Sequence, residues 1–313
     1  MHLRVEHITT YDYTPAVEAA QHMVHLKPLD HARQRLLRHQ LTVTPTPAHL
    51  TETPDVYGNT RAFFALQTVH EQLTVHAESE LHTSAPPIAQ SSLTWEQARE
   101  RFRYHANAAY DAAAEFVFAS PHVPRHADFS AYARPSFGTG QPLLLAARDL
   151  MARIHADFTY ETESTEVNTP AVEALAQRKG VCQDFAHIMI ACWRAMGLPA
   201  RYVSGYLLTT PPPGQPRLVG SDASHAWVSI YVPDMPEGAR WCDFDPTNNR
   251  LPGDDYVTLA TGRDFADVSP IRGVIHGGAH HTLEVRVTVE PLDPLDPLDP
   301  LEPVTAAAAA PAA

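Results

Sequence analysis

Gly180-Val-Cys-Gln-Asp-Phe-Ala-His-Ile-Met-Ile-Ala-Cys-Trp-Arg-Ala-Met-Gly197 reads as one buried helix with a cysteine in its first turn. Phe185, Met189, Cys192 and Met196 recur at helical steps, and Ala186, Ile190 and Trp193 form an adjoining row, so the apolar arc is wide enough to need packing on most sides. Gly180 breaks the chain before it, Gly197 suits a left-handed closing residue, and Pro199 cannot continue a helix. Cys182 thus meets the unpaired N–H groups and positive dipole end of a first turn, which favour a thiolate and can hold an oxyanion. Taken alone, Cys182 reads equally as a small buried hydrophobe.

Two strands nearer the C-terminus separate these readings. Ser224-His-Ala-Trp-Val-Ser-Ile-Tyr-Val232 alternates as a strand, with His225, Trp227, Ser229 and Tyr231 on one face. Trp241-Cys-Asp-Phe-Asp-Pro-Thr247 is a second strand that stops at Pro246, and the turn formers between 233 and 238 predict an antiparallel hairpin. Such a hairpin brings His225, which opens one strand, beside Asp245, which closes the other, as a carboxylate that orients an imidazole requires. Asp243 shares the face of Asp245 and is its rival for that role.

Gly180 to His187, Ser224-His-Ala-Trp-Val228 and Phe244-Asp-Pro-Thr-Asn-Asn249 resemble the three catalytic blocks of the bacterial transglutaminase-like superfamily, in the order Cys, His, Asp. The segments 200–207 and 262–274 resemble that family's flanking regions, and His7, Thr9, Tyr11, Tyr13 and Tyr57-Gly58-Asn59 resemble its bacterial N-terminal region. The resemblance implies an α+β fold: an N-terminal β-sandwich-like domain, then a papain-like or transglutaminase-like core with the nucleophile at a helix N-terminus packed on an antiparallel sheet. It implies a transglutaminase-like cysteine peptidase or amidase with the catalytic residues Cys182, His225 and Asp245. In that chemistry Cys182 attacks an amide carbonyl of a peptide or protein substrate to form a thioester. His225 handles the protons and Asp245 fixes the ring. Hydrolysis ranks ahead of amine transfer, which would make the protein a cross-linking transglutaminase. The Asp-Pro-Thr match favours Asp245 over Asp243, and Asp184 and His187, one turn past the nucleophile, are read as supporting the site or the fold and are assigned no chemical step. A peptide-binding scaffold without activity is the alternative from another class, and a thiolate metal site at Cys182 with nearby histidines ranks below it.

Composition narrows the rest. At 313 residues and 44% hydrophobic, the chain is long enough for two compact units. A formal net charge of −13 gives no footprint for nucleic acid or an anionic membrane. Three cysteines suit a reducing compartment, and no apolar run approaches a membrane span, so the cytoplasm is the expectation. No sequence matches a calcium loop, so no cofactor is expected, and the histidines at 276, 280 and 281 lack the partners of a metal site.

In chain order, residues 1–88 read as β. Residues 89–140 read as a helical and irregular connection: Thr94 and Gln97 form a capping box for a helix from Trp95 to about Ala114, and the Pro- and Gly-rich stretch 119–141 is a loop that could border the cleft or strap the surface. Residues 141–290 form the core, opening with the stripe Leu143, Ala147, Leu150, Ile154 and Phe158 and closing with a strand over 281–289. Thr169-Pro170 starts a helix to Gln177, and Arg178 and Lys179 lend Cys182 a minor positive charge. The Pro-rich loop 209–220 is expected near the mouth of the site. Residues 291–313, with three Pro-Leu-Asp repeats, are expected to be an extended, disordered tail.

Overall fold

The computed structural model describes residues 1–87, 89–106, 109–162, 169–209 and 224–292. The 209–220 loop beyond Thr209 and the tail beyond Leu292 lie outside them. The chain begins with β1 (His2–Val24), β2 (Gln34–Thr44), β3 (His49–Pro54), β4 (Thr60–Leu66) and β5 (His70–Thr83). Helices α1 (Trp95–Arg101), α2 (Ala127–Ala133) and α3 (Leu143–Asp157) come next, then β6 (Thr159–Tyr160), α4 (Ala171–Gln177), β7 (Lys179–Gly180) and α5 (Cys182–Ala195). The chain closes with β8 (Ala200–Leu207), β9 (Ser224–Tyr231), β10 (Trp241–Phe244), β11 (Tyr256–Gly262), α6 (Phe265–Val268), β12 (Ile271–Gly277) and β13 (His280–Pro291).

Two antiparallel sheets carry this order. The first has seven strands around the long β1: its early half lies between β5 and β13, its later half between β4 and β12. The second runs β10-β9-β8-β11. The strand over 281–289, expected to close the core, instead pairs with β1 from Leu3↔Pro291 to Thr14↔His280, so the N-terminal sheet is finished by the C-terminal end of the chain. Pairing partners of a strand are fixed by the burial of one face, and Val287 and Val289 are buried in the cluster that holds Leu3, Val5, Leu73 and Val75.

That same cluster takes in Tyr206, Val257 and Leu259 from β8 and β11, so the two sheets face each other across a shared apolar layer. On the inner face of β1, His7 hydrogen-bonds through Nδ1 with the Tyr206 hydroxyl at 2.9 Å and through Nε2 with Thr9 Oγ1 at 3.0 Å. Burial pushes the His7 imidazole down to about 4. Two side-chain amides from the N-terminal region then clamp β11. Gln34 donates to Thr258 O and accepts from Thr258 N, both at 2.7 Å. Asn59 does the same with the backbone of Thr261 at 2.8 Å in each direction. Each amide imitates one rung of a β-ladder along the outer side of an edge strand, where unpaired backbone groups would otherwise be buried.

The helical layer buries α5 between α2, α3, α4 and the second sheet, with Phe185, Ile188, Met189, Ile190, Cys192 and Trp193 at most 2% exposed. Each residue of the stripe Leu143, Ala147, Leu150, Ile154 and Phe158 is buried, and all but Phe158, the C-cap, lie within α3. Two expectations change here. The helix from Trp95 stops at Arg101, because residues 103–106 and 109–110 are largely exposed and have no apolar face to bury. The stretch 119–141 is not wholly irregular: it contains α2, whose Phe129 and Ala133 pack on the core. The capping box of Thr94 and Gln97 is present, and α4 starts one residue later than expected, with Pro170 at its N-cap.

Candidate active site

Helix α5 begins at Cys182, with Val181 in extended conformation as its N-cap. Valine offers no side-chain acceptor, so the cap works in reverse: the Asp184 carboxylate, 2% exposed, accepts from the Val181 N–H at 2.9 Å. Gly180 is required by close approach, since a Cβ there would lie 2.6 Å from Asp184 Oδ2. The parallel pair β6 and β7 sets Tyr160 opposite Gly180, two residues before Cys182. The half-exposed Tyr160 hydroxyl is raised by burial and then by the charge of Cys182. Arg178 and Lys179 do not serve Cys182: Arg178 stacks on the rings of Tyr132 and Phe158, and Lys179 pairs with Glu161 at 2.8 Å.

Across from the helix, β9 and β10 pair as the hairpin expected, with Val228 opposite Phe244. His225 Nε2 lies 2.7 Å from Asp245 Oδ2. Burial alone would lower His225. Its hydrogen bond with Asp245, another with Cys182, and the charges of both outweigh burial and push it up to about 10. His225 is therefore fixed by Asp245 and raised as well by its interaction with Cys182.

Asp245 is fully buried and accepts five hydrogen bonds. Oδ2 takes His225, the Asn248 amide and the Tyr256 hydroxyl, each at 2.7 Å. Oδ1 takes the backbone N–H of Thr247 at 2.9 Å and of Asn248 at 3.2 Å. Burial would raise this carboxyl, but hydrogen bonding and the charge of His225, then Tyr256 and Asn248, hold it below the usual carboxylate range. Asp243, two residues earlier, goes elsewhere: it pairs with Arg33 of the N-terminal region at 2.6 Å.

Nothing in the sequence singles out Asn248 or Tyr256. Asn248 lies within the matched block 244–249, but Tyr256 stands outside every matched block and only the fold brings it to the carboxylate. Trp227 lies against both rings, 6.1 Å from His225 and 5.3 Å from Tyr256. Gly205, paired with His225 across β8 and β9, makes room for that indole, since a Cβ would come within 2.5 Å of it.

The other two cysteines, His187 and Arg194 are engaged elsewhere. Cys192 is fully buried and its thiol is pushed far up by burial, while burial brings Cys242 up to about 11. His187 accepts from the Phe265 N–H at 3.2 Å, stacks on His122, and is held well below its usual value by burial and then by the charges of His122 and Arg194. At the other end of α5, buried Arg194 donates to the carbonyls of Phe118, Ala200 and Arg263 and to Ser120 Oγ. The segment read as a possible border of the cleft lines a cavity of about 490 Å³ at that end, with Val123, Pro124 and Ala191 among its walls, far from Cys182. His276, at the turn end of β12, lies 3.3 Å from Glu18, and His281 stands against Tyr11 and Tyr13.

Comparison with known proteins agrees with this architecture. The family model described as the bacterial transglutaminase-like N-terminal region matches residues 3–82, and that of the transglutaminase-like superfamily matches residues 130–246. A protein of Mycobacterium tuberculosis, whose name carries no activity, is 40% identical over 297 residues, 93% of each chain. The protein-glutamine gamma-glutamyltransferase of Pseudomonas aeruginosa is 32% identical over 115 residues, covering 36% of this chain and 17% of its own length. A crystal structure from Cytophaga hutchinsonii, described as a "Putative Cysteine Protease", superposes with a TM-score of 0.71 at 21% identity over 95% of this chain and 92% of that one. With both family models matched in order and the fold shared across nearly its whole length, this chain belongs to the transglutaminase-like superfamily and carries that superfamily's bacterial N-terminal region ahead of the core.

Proposed function

We propose that the protein is a thiol-dependent amidase or peptidase acting on peptide or protein amides through Cys182, His225 and Asp245. The observation that carries this reading is the ring of His225, held by Asp245 at 2.7 Å and raised by its interactions with Asp245 and Cys182. An imidazolium in that place supports a thiolate at the first turn of α5, which attacks the amide carbonyl. The tetrahedral oxyanion is held by backbone N–H groups of the same turn, that of Cys182 first. Collapse of the intermediate expels the amine, which takes its proton from His225, and leaves a thioester. Water, deprotonated by the now neutral imidazole, attacks the thioester and restores the thiolate with release of the acid. Asp245 fixes the ring throughout and keeps it cationic between turnovers.

Transfer to an amine in place of water is the second reading, favoured by the match over 115 residues to the Pseudomonas aeruginosa glutamyltransferase. Incubation with a peptide library, with and without a primary amine, read by mass spectrometry, separates the two. Fragments carrying one added water are expected, and Cys182→Ala removes them. Amine incorporation in excess of cleavage assigns transfer instead, and products that survive in Cys182→Ala overturn both.

A further inference from the structure

Oδ2 of Asp245 accepts from three donors at 2.7 Å, and the donors differ in their surroundings. His225 is the one that the acyl transfer uses. The Asn248 amide belongs to an exposed residue and also lies 3.4 Å from His225 Nε2. The Tyr256 hydroxyl comes from the interior, on a residue only 4% exposed. Tyr256 opens β11 opposite Leu207 of β8, and its ring is met edge-on by Trp227 at 5.3 Å and faced by the Arg250 guanidinium at 5.0 Å. Arg250 is held there by the turn that Asp245 opens, since the two residues exchange backbone hydrogen bonds of 3.0 and 3.3 Å. Burial first, and then the charge of Asp245, raises Tyr256 above its ordinary value, so the phenol stays a donor and is no rival base.

Each hydrogen bond that a carboxylate oxygen accepts draws off part of its negative charge. It becomes a weaker acceptor for the imidazole N–H, and the field that keeps the imidazole cationic is lessened. We propose that Tyr256 is a positioning residue that sets, through Asp245, how tightly His225 holds its proton. Without the hydroxyl, Oδ2 binds the imidazolium more firmly. With it, the ring gives its proton more readily to the amine that departs when the C–N bond of the tetrahedral intermediate breaks. That use of the proton rests on the amidase reading, whereas the effect on the ring does not. Asn248 shares the oxygen but not the role, because water replaces an exposed amide and nothing replaces a buried hydroxyl. Each element packed on His225 can be named: Cys182 on α5 and Asp245 after β10 act on the ring directly, β11 brings Tyr256, and β8 brings the uncharged Gly205. Arg250 and Asp255 act on Tyr256 in turn.

Tyr256→Phe removes the hydroxyl and keeps the ring against Trp227, so the variant is expected to fold. In the full chain carrying isotope-labelled histidine, with His225→Gln used to identify the signal, the NMR titration of His225 is expected to move up by at least about half a pH unit in Tyr256→Phe. The alkaline limb of kcat/KM for peptide hydrolysis is expected to move the same way, and kcat near neutral pH to fall about three- to tenfold with KM unchanged. Asn248→Ala is expected to move the titration by less than about half as much. A titration that stays in place or moves down in Tyr256→Phe overturns the proposal, as does an equal movement in Asn248→Ala. Activity lost through a higher KM, with the pH profile in place, also overturns it, because a misplaced ring alone has that effect. The titration needs no substrate, so a chain that cleaves no peptide refutes the amidase reading while the ring still decides this one.

Discussion

The two ends of α5 are built on opposite principles. At its C-terminal end, the Arg194 guanidinium spends its donors on three backbone carbonyls and a hydroxyl, and burial pulls it down to about 10 without removing its charge at neutral pH. At its N-terminal end, Asp184 takes the N–H of Val181, and Cys182 is only partly buried against the core. One end is saturated by a buried cation, and the other sets a partly buried sulfur at the start of the helix. The contrast separates groups that hold the helix from groups available for chemistry.

Asp245→Asn disturbs the reactive end most. Loss of the charge that holds His225 as a cation is expected to lower kcat/KM for peptide hydrolysis by on the order of 10²- to 10⁴-fold. The pH dependence has a definite sign. The folded pKa of His225 lies above its ordinary value of 6.5, so the stability it contributes is fully present below 6.5 and is lost as pH rises towards about 10. Asp245 is shifted the other way, so its contribution is present above about 4 and is lost as pH falls further. The stability difference between wild type and Asp245→Asn, followed by urea unfolding, is therefore expected to be widest from about 4 to 6.5 and to narrow towards pH 10.

Arg194→Met breaks the saturated end. It strands buried carbonyls of Phe118, Ala200 and Arg263 and is expected to destabilise the fold by about 3 kcal/mol in denaturant titration, with turnover per folded molecule little changed. A fall in turnover matching that of Asp245→Asn would erase the distinction between the two ends. Asp184→Ala is the smallest of the three. It removes the acceptor for Val181 N–H and is expected to cost about 1 kcal/mol of stability by the same titration.

Much of the reactive end can be read in the chain itself, because its determinants are local or nearly so. The helical spacing from Phe185 to Met196 and the hairpin that joins His225 to Asp245 both arise from periods and turn residues within one segment. Asp243 and Asp245 look alike on one face of a strand. Their difference lies in Arg33, 210 positions away, and in Tyr256 on another strand. Gln34 leaves no signal of its own and Asn59 only its place in a matched segment, since an amide that binds backbone is not distinguished by the type of its distant partner. Arg194 reads as an ordinary cation in the last turn of a helix, and only the loops brought over it make it a buried knot. The helix from Trp95 is shorter than its sequence allows because absence of Gly and Pro permits a helix but supplies no face to bury. The pairing of β13 with β1 joins residues nearly the whole chain apart, a separation that alternation cannot encode.

The two amide clamps carry a practical corollary for anyone who would excise the catalytic half. A fragment starting near residue 130 would contain α5 and the hairpin, yet would leave Thr258 and Thr261 without the side chains that shield their ribbon. Tyr206, Val257 and Leu259 would be stripped of their cover as well. Such a piece is expected to aggregate when expressed alone, and co-expression with residues 1–87 to rescue its solubility.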